Sequence, residues 1–477
     1  MTAVPSAGSA RTMDLKLADD TICAIATPVG EGGIGIIKIS GPEAAAIAEK
    51  LFQPAHSGFP LQSHHLYYGW IQLSEPRQLV DEVLLSYMAA PHTYTCEDVV
   101  EINCHSGYAV LNQILTLVMA AGARLAEPGE FTRRAFLNGR LDLSQAEAVI
   151  EVVRSRSEQA LMVANRLLRG DFSEKVRAWR ETVLGLQAAL EASLDFSEDL
   201  DGEPYPSALL VEMIEDELLR PLQEALAGYQ EGRVLREGFT IVLVGKPNVG
   251  KSSLLNALLR KDRAIVTPFP GTTRDIVEDS FILAGVLVRV LDTAGIRQQP
   301  DAIESLGIER TFQSVEDADV VLWLIDASRP LTREDDAVFA RITSKRYLVL
   351  LNKADLPPQV SLDEVEERFG RQAPILSLSV LNPPEVEALR GYLTKSYLQN
   401  PLTRGRSLII PNQRHKICLE QALEALANAR ELLREDRYRE LVSIELNTAR
   451  RSLEAITGLV QDDAVLDRIF SDFCIGK

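Results

Sequence analysis

Phe239-Thr240-Ile241-Val242-Leu243-Val244-Gly245-Lys246-Pro247-Asn248-Val249-Gly250-Lys251-Ser252 decides the architecture of the middle of the chain. Phe239 to Val244 is a short apolar run ending at a glycine, the pattern of a buried parallel strand. Gly245 to Ser252 match G-x-x-x-x-G-K-S, and Ser253 to Leu259 continue with helical spacing. Strand, loop and helix in that order are the context a phosphate-gripping loop requires. The glycines let backbone N–H groups approach phosphate oxygens, and the helix N-terminus adds roughly half a positive charge. Lys251 is placed to reach the outer phosphates and the Ser252 hydroxyl to hold Mg²⁺. Asn248, Val249, Gly250 and Ser253 complete the nucleotide-binding loop.

Two further strand ends carry polar tetrapeptides. Asp292-Thr293-Ala294-Gly295 follows the run Leu287 to Leu291, where a carboxylate can support a Mg²⁺ shell. Asn352-Lys353-Ala354-Asp355 follows the run Tyr347 to Leu351. The Asp355 carboxylate can accept from both the N1 and N2 donors of guanine, and adenine offers neither in that geometry. Each element alone is weak; three in order on successive strand ends point to GTP. Thr272 and Thr273, between loop and Asp292, fit switch residues beside the γ-phosphate and Mg²⁺. Ser379-Val380-Leu381 stands where related guanine sites carry Ser-Ala-Lys, a poor match. Ile296 occupies the place where Ras-like enzymes put a water-orienting Gln, and it can neither orient nor deprotonate water. Asn248 and Glu304 are the polar candidates to compensate; an exposed acid at a helix start is the plainer reading of Glu304.

Working outward, Val320 to Ile325 is another apolar run, and a doubly wound sheet is expected from Phe239 to Gln399. On either side the texture changes. Asp20 to Leu137 mixes short strands (Ile34 to Ser40, Val83 to Tyr87, Asp98 to Ile102) with a helical stretch from Tyr108 to Ala121, an α/β domain. From Leu141 the chain turns helical. Ser144-Gln145-Ala146-Glu147 has capping-box form, opening one long amphipathic stretch towards Gly170 and a second helix to Leu194. Glu181 to Leu219 holds no Lys or Arg; a solvated acidic face is the plainer expectation and a docking face for a basic partner the sharper one. Helical texture returns in Arg414 to Glu435 and Leu441 to Thr457. The expectation is therefore a multidomain α/β and α chain: leader 1–19, N-terminal domain 20–137, helical parts 138–236 and 400–477, and an inserted Ras-like P-loop domain 237–399.

Composition agrees. The 477 residues are 46% hydrophobic and 25% charged, ordinary for several packed domains. No apolar run is long enough to span a bilayer, and Met1 to Asp20 lacks the apolar stretch of a secretory signal. Five scattered cysteines without a C-x-x-C pair indicate neither a disulfide framework nor zinc, and suit a reducing cytoplasm. The net charge of −18 argues against nucleic-acid binding driven by overall charge.

From about Asp20 to its end, the chain resembles the bacterial MnmE (TrmE) tRNA-modification GTPase family. The residues carrying the likeness are Asp20-Thr21-Ile22, Ala26-Thr27-Pro28, Gly32-Gly33, Gly35-Ile36, Gly129-Glu130-Phe131-Thr132, Ala135-Phe136-Leu137-Asn138-Gly139, Leu141-Asp142-Leu143, Gly271-Thr272-Thr273-Arg274-Asp275 and the tail Phe473-Cys474-Ile475-Gly476-Lys477. The resemblance implies a folate-binding N-terminal domain through which a homodimer forms. It also implies a heterotetramer with the flavoprotein MnmG (GidA), FAD belonging to that partner. Together they would add an aminomethyl or carboxymethylaminomethyl group to C5 of the wobble uridine of certain tRNAs, using a reduced folate (5-formyl- or methylene-tetrahydrofolate). It implies K⁺ on Asn248, Thr267, Phe269 and Thr272, Mg²⁺ on Ser252 and Thr273, and a general-base role for Glu304. Thr267 also joins the GTP contacts. The folate contacts fall on Lys38, Glu101, Arg140 and Lys477, with Lys38 and Arg140 exchanging basic types against the family pattern. Cys474 is either a thiolate nucleophile or a small residue beside the folate.

Two other function classes compete. A ribosome-assembly or RNA-binding GTPase switch would carry an appended basic module, and none is visible. A folate-dependent one-carbon transferase merely regulated by its GTPase domain differs in what tRNA modification would show.

Overall fold

The structure, a computed structural model, describes residues 20–28, 30–56, 60–73, 78–195, 206–259, 279–291, 315–398, 412–435, 439–460 and 462–477. The expected leader, the Thr267–Thr273 segment, Asp292 to Ile296 and Glu304 lie outside them. The chain divides into two compact units, residues 1–150, 167–211 and 424–477 forming the first, and 151–166 and 212–423 the second.

In the first unit, seven strands build one sheet: β1 (Ile22–Ile25), β2 (Gly35–Ser40), β3 (Phe52–Pro54), β4 (His65–Leu73), β5 (Gln78–Met88), β6 (Val99–Cys104) and β7 (Arg124–Leu125). Their order is β3-β4-β5-β6-β2-β1-β7. All pairs are antiparallel except β1 with β7. Alternation sets the two faces. Ile37, Ile39, Val100 and Ile102 point into a core covered by the helices Ala44–Leu51 and Tyr108–Ala120. Lys38 and Glu101 are directly paired across β2 and β6, on the opposite face.

The helical expectation needs two corrections. The reciprocal cap opening the helix Leu143–Arg154 is Asp142 with Gln145: each backbone N–H donates to the other's side chain at 3.0 Å. Ser144 lies inside the helix, buried, so the capping box starts two residues earlier than its sequence form suggests. The expected single stretch to Gly170 is two helices, because Ser157 caps a new one, Glu158–Arg169, by accepting from the Ala160 N–H at 3.2 Å. Ser155 meanwhile donates to the Glu151 carbonyl at 2.7 Å; such local bonds compete with helix continuation. Further on, the helices Asp171–Asp195 and Arg439–Thr457 share an ion cluster. Glu454, only 3% exposed, accepts from Arg180 Nε at 2.8 Å and from Arg450 Nη1 at 2.7 Å.

The second unit holds the doubly wound sheet, built from β8 (Phe239–Val244), β9 (Asp279–Leu283), β10 (Val286–Leu291), β11 (Val320–Asp326), β12 (Tyr347–Asn352) and β13 (Ile375–Leu378). Their order is β13-β12-β11-β8-β10-β9, parallel except for the β9–β10 hairpin. Every residue of β8 and β11 is buried, as continuous apolar runs require when helices cover both faces. Helices Arg333–Ile342 and Leu362–Phe369 pack with Trp323 on one side. On the other, the helix Lys251–Leu259 meets Pro383–Tyr397, Arg390 donating to the Leu258 carbonyl at 3.0 Å. Mixed α/β sheets, a helical region and an inserted P-loop unit thus make up the chain.

Candidate functional site

The nucleotide loop leaves β8 at the centre of its sheet and returns into the helix Lys251–Leu259. Three positions have positive φ: Gly245 (146°), Asn248 (61°) and Gly250 (105°). A Cβ on Gly245 would strike the Leu324 carbonyl of β11, and one on Gly250 would strike the Asn352 amide. The loop is therefore pressed against the neighbouring strand ends, and only glycine fits there. Asn248, the non-glycine among the three, stands in a left-handed conformation that Asn tolerates. Lys251 curls back over the loop, its Nζ donating to the carbonyls of Gly245 (2.7 Å) and Lys246 (2.8 Å). The Ser252 and Ser253 side chains are exposed at the helix start.

Asn352 is completely buried and braces the site. Its Nδ2 donates to the Val249 carbonyl at 2.7 Å and its Oδ1 accepts from the Val380 N–H at 3.2 Å. One side chain thus ties the phosphate loop to the Ser379-Val380-Leu381 segment, which follows β13. Leu381 itself is 79% exposed. Lys353, at φ 64°, reaches Asp326 at the end of β11 with Nζ–Oδ2 at 2.6 Å. Burial raises the pKa of the Asp326 carboxyl, but Lys353 and Ser328 outweigh it and hold the group below its ordinary range. Asp355 is exposed beyond these residues. Loop, Asn352–Asp355 and Ser379–Leu381 consequently stand at the same ends of parallel strands, where doubly wound sheets bind ligands.

A second constellation forms in the first unit. Lys38 Nζ lies 3.7 Å from Glu101, and over the rings of Tyr94 (5.4 Å) and Phe131 (5.5 Å). Burial lowers the Lys38 pKa from its ordinary value; Glu101 opposes the shift and the positive Lys477 adds to it. Arg140 places its guanidinium over the same Tyr94 ring, at 4.8 Å. Lys38, Glu101 and Arg140 therefore gather around Tyr94, with Lys477 near enough to act on the Lys38 charge. Beside them opens a pocket of about 480 Å³ lined by residues that include Met88, His92, Cys96, Asn138 and Arg140.

The C-terminal tail is seated in the same unit. Gly476, at φ 96°, lies so close to β1 that a Cβ would come within 2.8 Å of the Ile25 carbonyl. Phe473 is buried with Phe470, Ala135 and Leu143, while Cys474 is an exposed free thiol. Burial pushes the Cys23 and Cys104 thiols up to about 11, leaving them protonated near neutrality.

Sequence reading left Tyr94, Phe131, Arg134 and Lys246 without roles. The run Gly129-Glu130-Phe131-Thr132 is now explained residue by residue. Gly129 (φ 69°) sits beneath the Phe470 carbonyl, Phe131 lies under Lys38, and Thr132 Oγ1 is 2.9 Å from the Tyr94 hydroxyl. Glu130 meets both Arg124 (2.5 Å) and Arg134 (3.1 Å). Arg134, 5% exposed, also binds Asp20 (2.6 Å) and Glu97 (3.1 Å), locking the start of the sheet to the helix Glu130–Leu137. Strand alternation could have put Lys38 and Glu101 on the polar faces of their own strands; nothing in the sequence could have paired them or placed Tyr94.

Comparison with known proteins gives two family models, "GTP-binding protein TrmE N-terminus" over residues 21–140 and "MnmE helical domain" over residues 143–474. The chain is 60% identical to the tRNA modification GTPase MnmE of Syntrophobacter fumaroxidans, over 98% of its own length and 100% of that protein. It is 44% identical to the protein of the same name from Carboxydothermus hydrogenoformans, over 96% of this chain and 100% of that one. Among solved structures, Aquifex aeolicus Era matches at 30% identity over 39% of this chain and 66% of that one, with a TM-score of 0.27. The G domain of the T. maritima FeoB iron transporter matches at 24% identity over 33% and 97%, with a TM-score of 0.26.

Proposed function

This chain belongs to the tRNA modification GTPase MnmE family, and from that membership we propose that its GTP hydrolysis, stimulated by potassium, drives C5 modification of the wobble uridine in certain tRNAs. It is a GTPase tied to tRNA modification. The finer reading adds a homodimer, the flavoprotein partner MnmG with its FAD, a reduced-folate one-carbon donor, and work in the cytoplasm. Among the described residues no helix is long and apolar enough to cross a membrane.

The observation that carries the reading is the pairing, within one chain, of a braced phosphate loop with the Lys38–Glu101–Arg140–Lys477 cluster. In the loop, Lys251, held by two carbonyl acceptors, offers its remaining N–H to the outer phosphates, and the amides of the Lys251–Leu259 helix start face the same charge. Asp355 selects guanine. The exposed Ser252 hydroxyl suits Mg²⁺, with Thr273 as second protein ligand. Asn248 supplies an amide oxygen suited to K⁺, with Thr267, Phe269 and Thr272 completing the set. Bound there, the two cations would neutralise charge on the transferring phosphoryl group. Since the Ile296 side chain has no polar atom, Glu304 is the residue proposed to orient water.

In the cluster, Glu101 offers an acceptor to an amino-bearing heterocycle. Lys38, Arg140 and Lys477 offer positive charge to the glutamyl carboxylates of a folate, and Tyr94 offers a stacking face. The folate, when bound, supplies the one-carbon unit. Cys474 is exposed and able to meet a reacting base.

The test is GTP turnover by the full chain in K⁺ and in Na⁺, with Glu304→Ala alongside. The reading expects fast turnover only in K⁺, and a roughly 10²–10⁴-fold slower Glu304→Ala that still binds GTP. Equal rates in both salts would remove potassium; an unimpaired variant would remove Glu304.

A further inference from the structure

The nucleotide loop is held from outside as well as from within. Lys246, its first variable residue, extends to the start of the helix Arg333–Ile342 and pairs with Asp335, Nζ–Oδ2 at 2.6 Å. It also donates to Thr332 Oγ1 at 3.1 Å. Asp335 is 1% exposed. The same Oδ2 accepts from the Thr332 N–H at 2.8 Å, as the carboxylate of a capping box does, and from the Thr332 hydroxyl at 3.2 Å. Asp335 Oδ1 is buried with no hydrogen-bond partner among the described residues.

That arrangement exceeds what capping needs. A neutral or solvent-facing side chain can cap a helix, whereas a buried carboxylate is costly unless a cation compensates it. The compensating cation here comes from the phosphate loop itself. The other end of Lys246 is its main-chain carbonyl, which accepts from Lys251 Nζ at 2.8 Å, beside the Gly245 carbonyl at 2.7 Å. A short chain of contacts thus runs from Asp335 through the Lys246 side chain and backbone to the lysine that meets the phosphates.

We propose that Lys246 is a positioning residue, which by anchoring on Asp335 fixes the two loop carbonyls that aim Lys251 at the outer phosphates of the nucleotide. This rests on the GTP-binding reading of the loop. It assigns Asp335, outside every nucleotide motif, an effect on phosphate affinity and none on base choice.

The test uses the full chain and equilibrium binding of fluorescent GDP and GTP. Wild type is compared with Lys246→Met, Lys246→Arg, Asp335→Asn and the double variant Lys246→Met/Asp335→Asn, each titrated well below its melting temperature. Lys246→Met and Asp335→Asn should each weaken both nucleotides about tenfold, the size of one charged hydrogen bond. The double variant should be no weaker than either single, since both remove the same link. Lys246→Arg should recover most of the affinity, and preference for guanine over xanthine should not change in any variant. A merely structural role would lower melting temperatures and leave the affinity of the folded protein alone. Binding within twofold of wild type in either single variant overturns the proposal. So does a loss confined to Lys246→Met, which would make Lys246 a direct phosphate ligand, and so does a hundredfold, additive loss in the double variant. Wild type that binds no guanine nucleotide overturns the parent reading, and this proposal with it; indifferent variants of a wild type that does bind overturn this proposal alone.

Discussion

The nucleotide loop and the Lys38 cluster each hold a fixed set of charged groups, and they do so by opposite routes. The loop is contiguous: Gly245 to Ser252 shape themselves, and neighbouring strand ends only brace them. The cluster is assembled from β2, β6, the Tyr94 loop, the residues after Leu137 and the last residue of the chain. A contiguous site depends on backbone conformation and fails when one functional side chain is lost. A dispersed site depends on the packing of the segments that deliver its parts, and should fail when a delivering segment is displaced.

The largest expected effect is on the contiguous side. Lys251→Ala should cut GTP turnover roughly 10²–10³-fold, the range for losing one preorganised electrostatic contact, measured as phosphate release by the folded protein. A loss of less than tenfold would mean that the loop backbone alone carries the phosphates. Next comes Asp355→Asn. Exchanging a charged acceptor worth about 1.5–3 kcal/mol should lower guanine affinity roughly 10- to 100-fold and turn preference towards xanthosine nucleotides. Unaltered guanine preference in a competition titration would break the assignment.

On the dispersed side, Gly476→Ala sharpens the comparison, because it changes no charged group. Its φ of 96° and the Ile25 carbonyl only 2.8 Å from an added Cβ should unseat the tail. Strain of about 1–3 kcal/mol is expected, read as roughly tenfold weaker binding of 5-formyltetrahydrofolate by calorimetry. Unchanged binding would show that Lys477 is not delivered by the tail's packing.

Acid–base behaviour gives a smaller effect. Burial lowers the Lys38 pKa, so the folded state disfavours its proton and the ammonium costs stability at neutral pH. That cost fades as pH rises through the lowered value towards the ordinary 10.5. Affinity for an anionic folate should move the other way and weaken over the same window in wild type, but not in Lys38→Arg. The smallest effect is at Cys96, which lines the pocket at φ 61°. Cys96→Gly should be neutral to stabilising by about 0.5–1 kcal/mol in thermal melts, by relieving a left-handed side chain.

The same contrast explains what could be read from sequence. The apolar runs after which the loop, Asn352 and Asp292 stand announced β8, β12 and β10, because a strand buried on both faces has no room for alternation. That Asn352 is a brace between loop and β13, and that Lys246 leans on Asp335, required knowing which strand ends are neighbours. The Lys38 cluster was legible only through family resemblance. Tyr94 and Phe131, which give the charges their platform, carry no local pattern that separates them from core aromatics. The helical errors have a local cause: Ser144 has Glu147 three residues on, the form of a capping box, whereas Ser157 is followed there by Ala160 and announces itself less. The Asp142–Gln145 cap put the first inside a helix, buried, while the second caps the next helix through the Ala160 N–H.

The central claim is that GTP hydrolysis by this chain drives wobble-uridine modification. It is tested most directly by quantifying the modified wobble nucleosides of tRNA from a deletion strain that carries wild type or Asp292→Ala. Wild type should restore the C5-modified uridines and Asp292→Ala should leave them missing. Full restoration by Asp292→Ala, or none by wild type, would contradict the account.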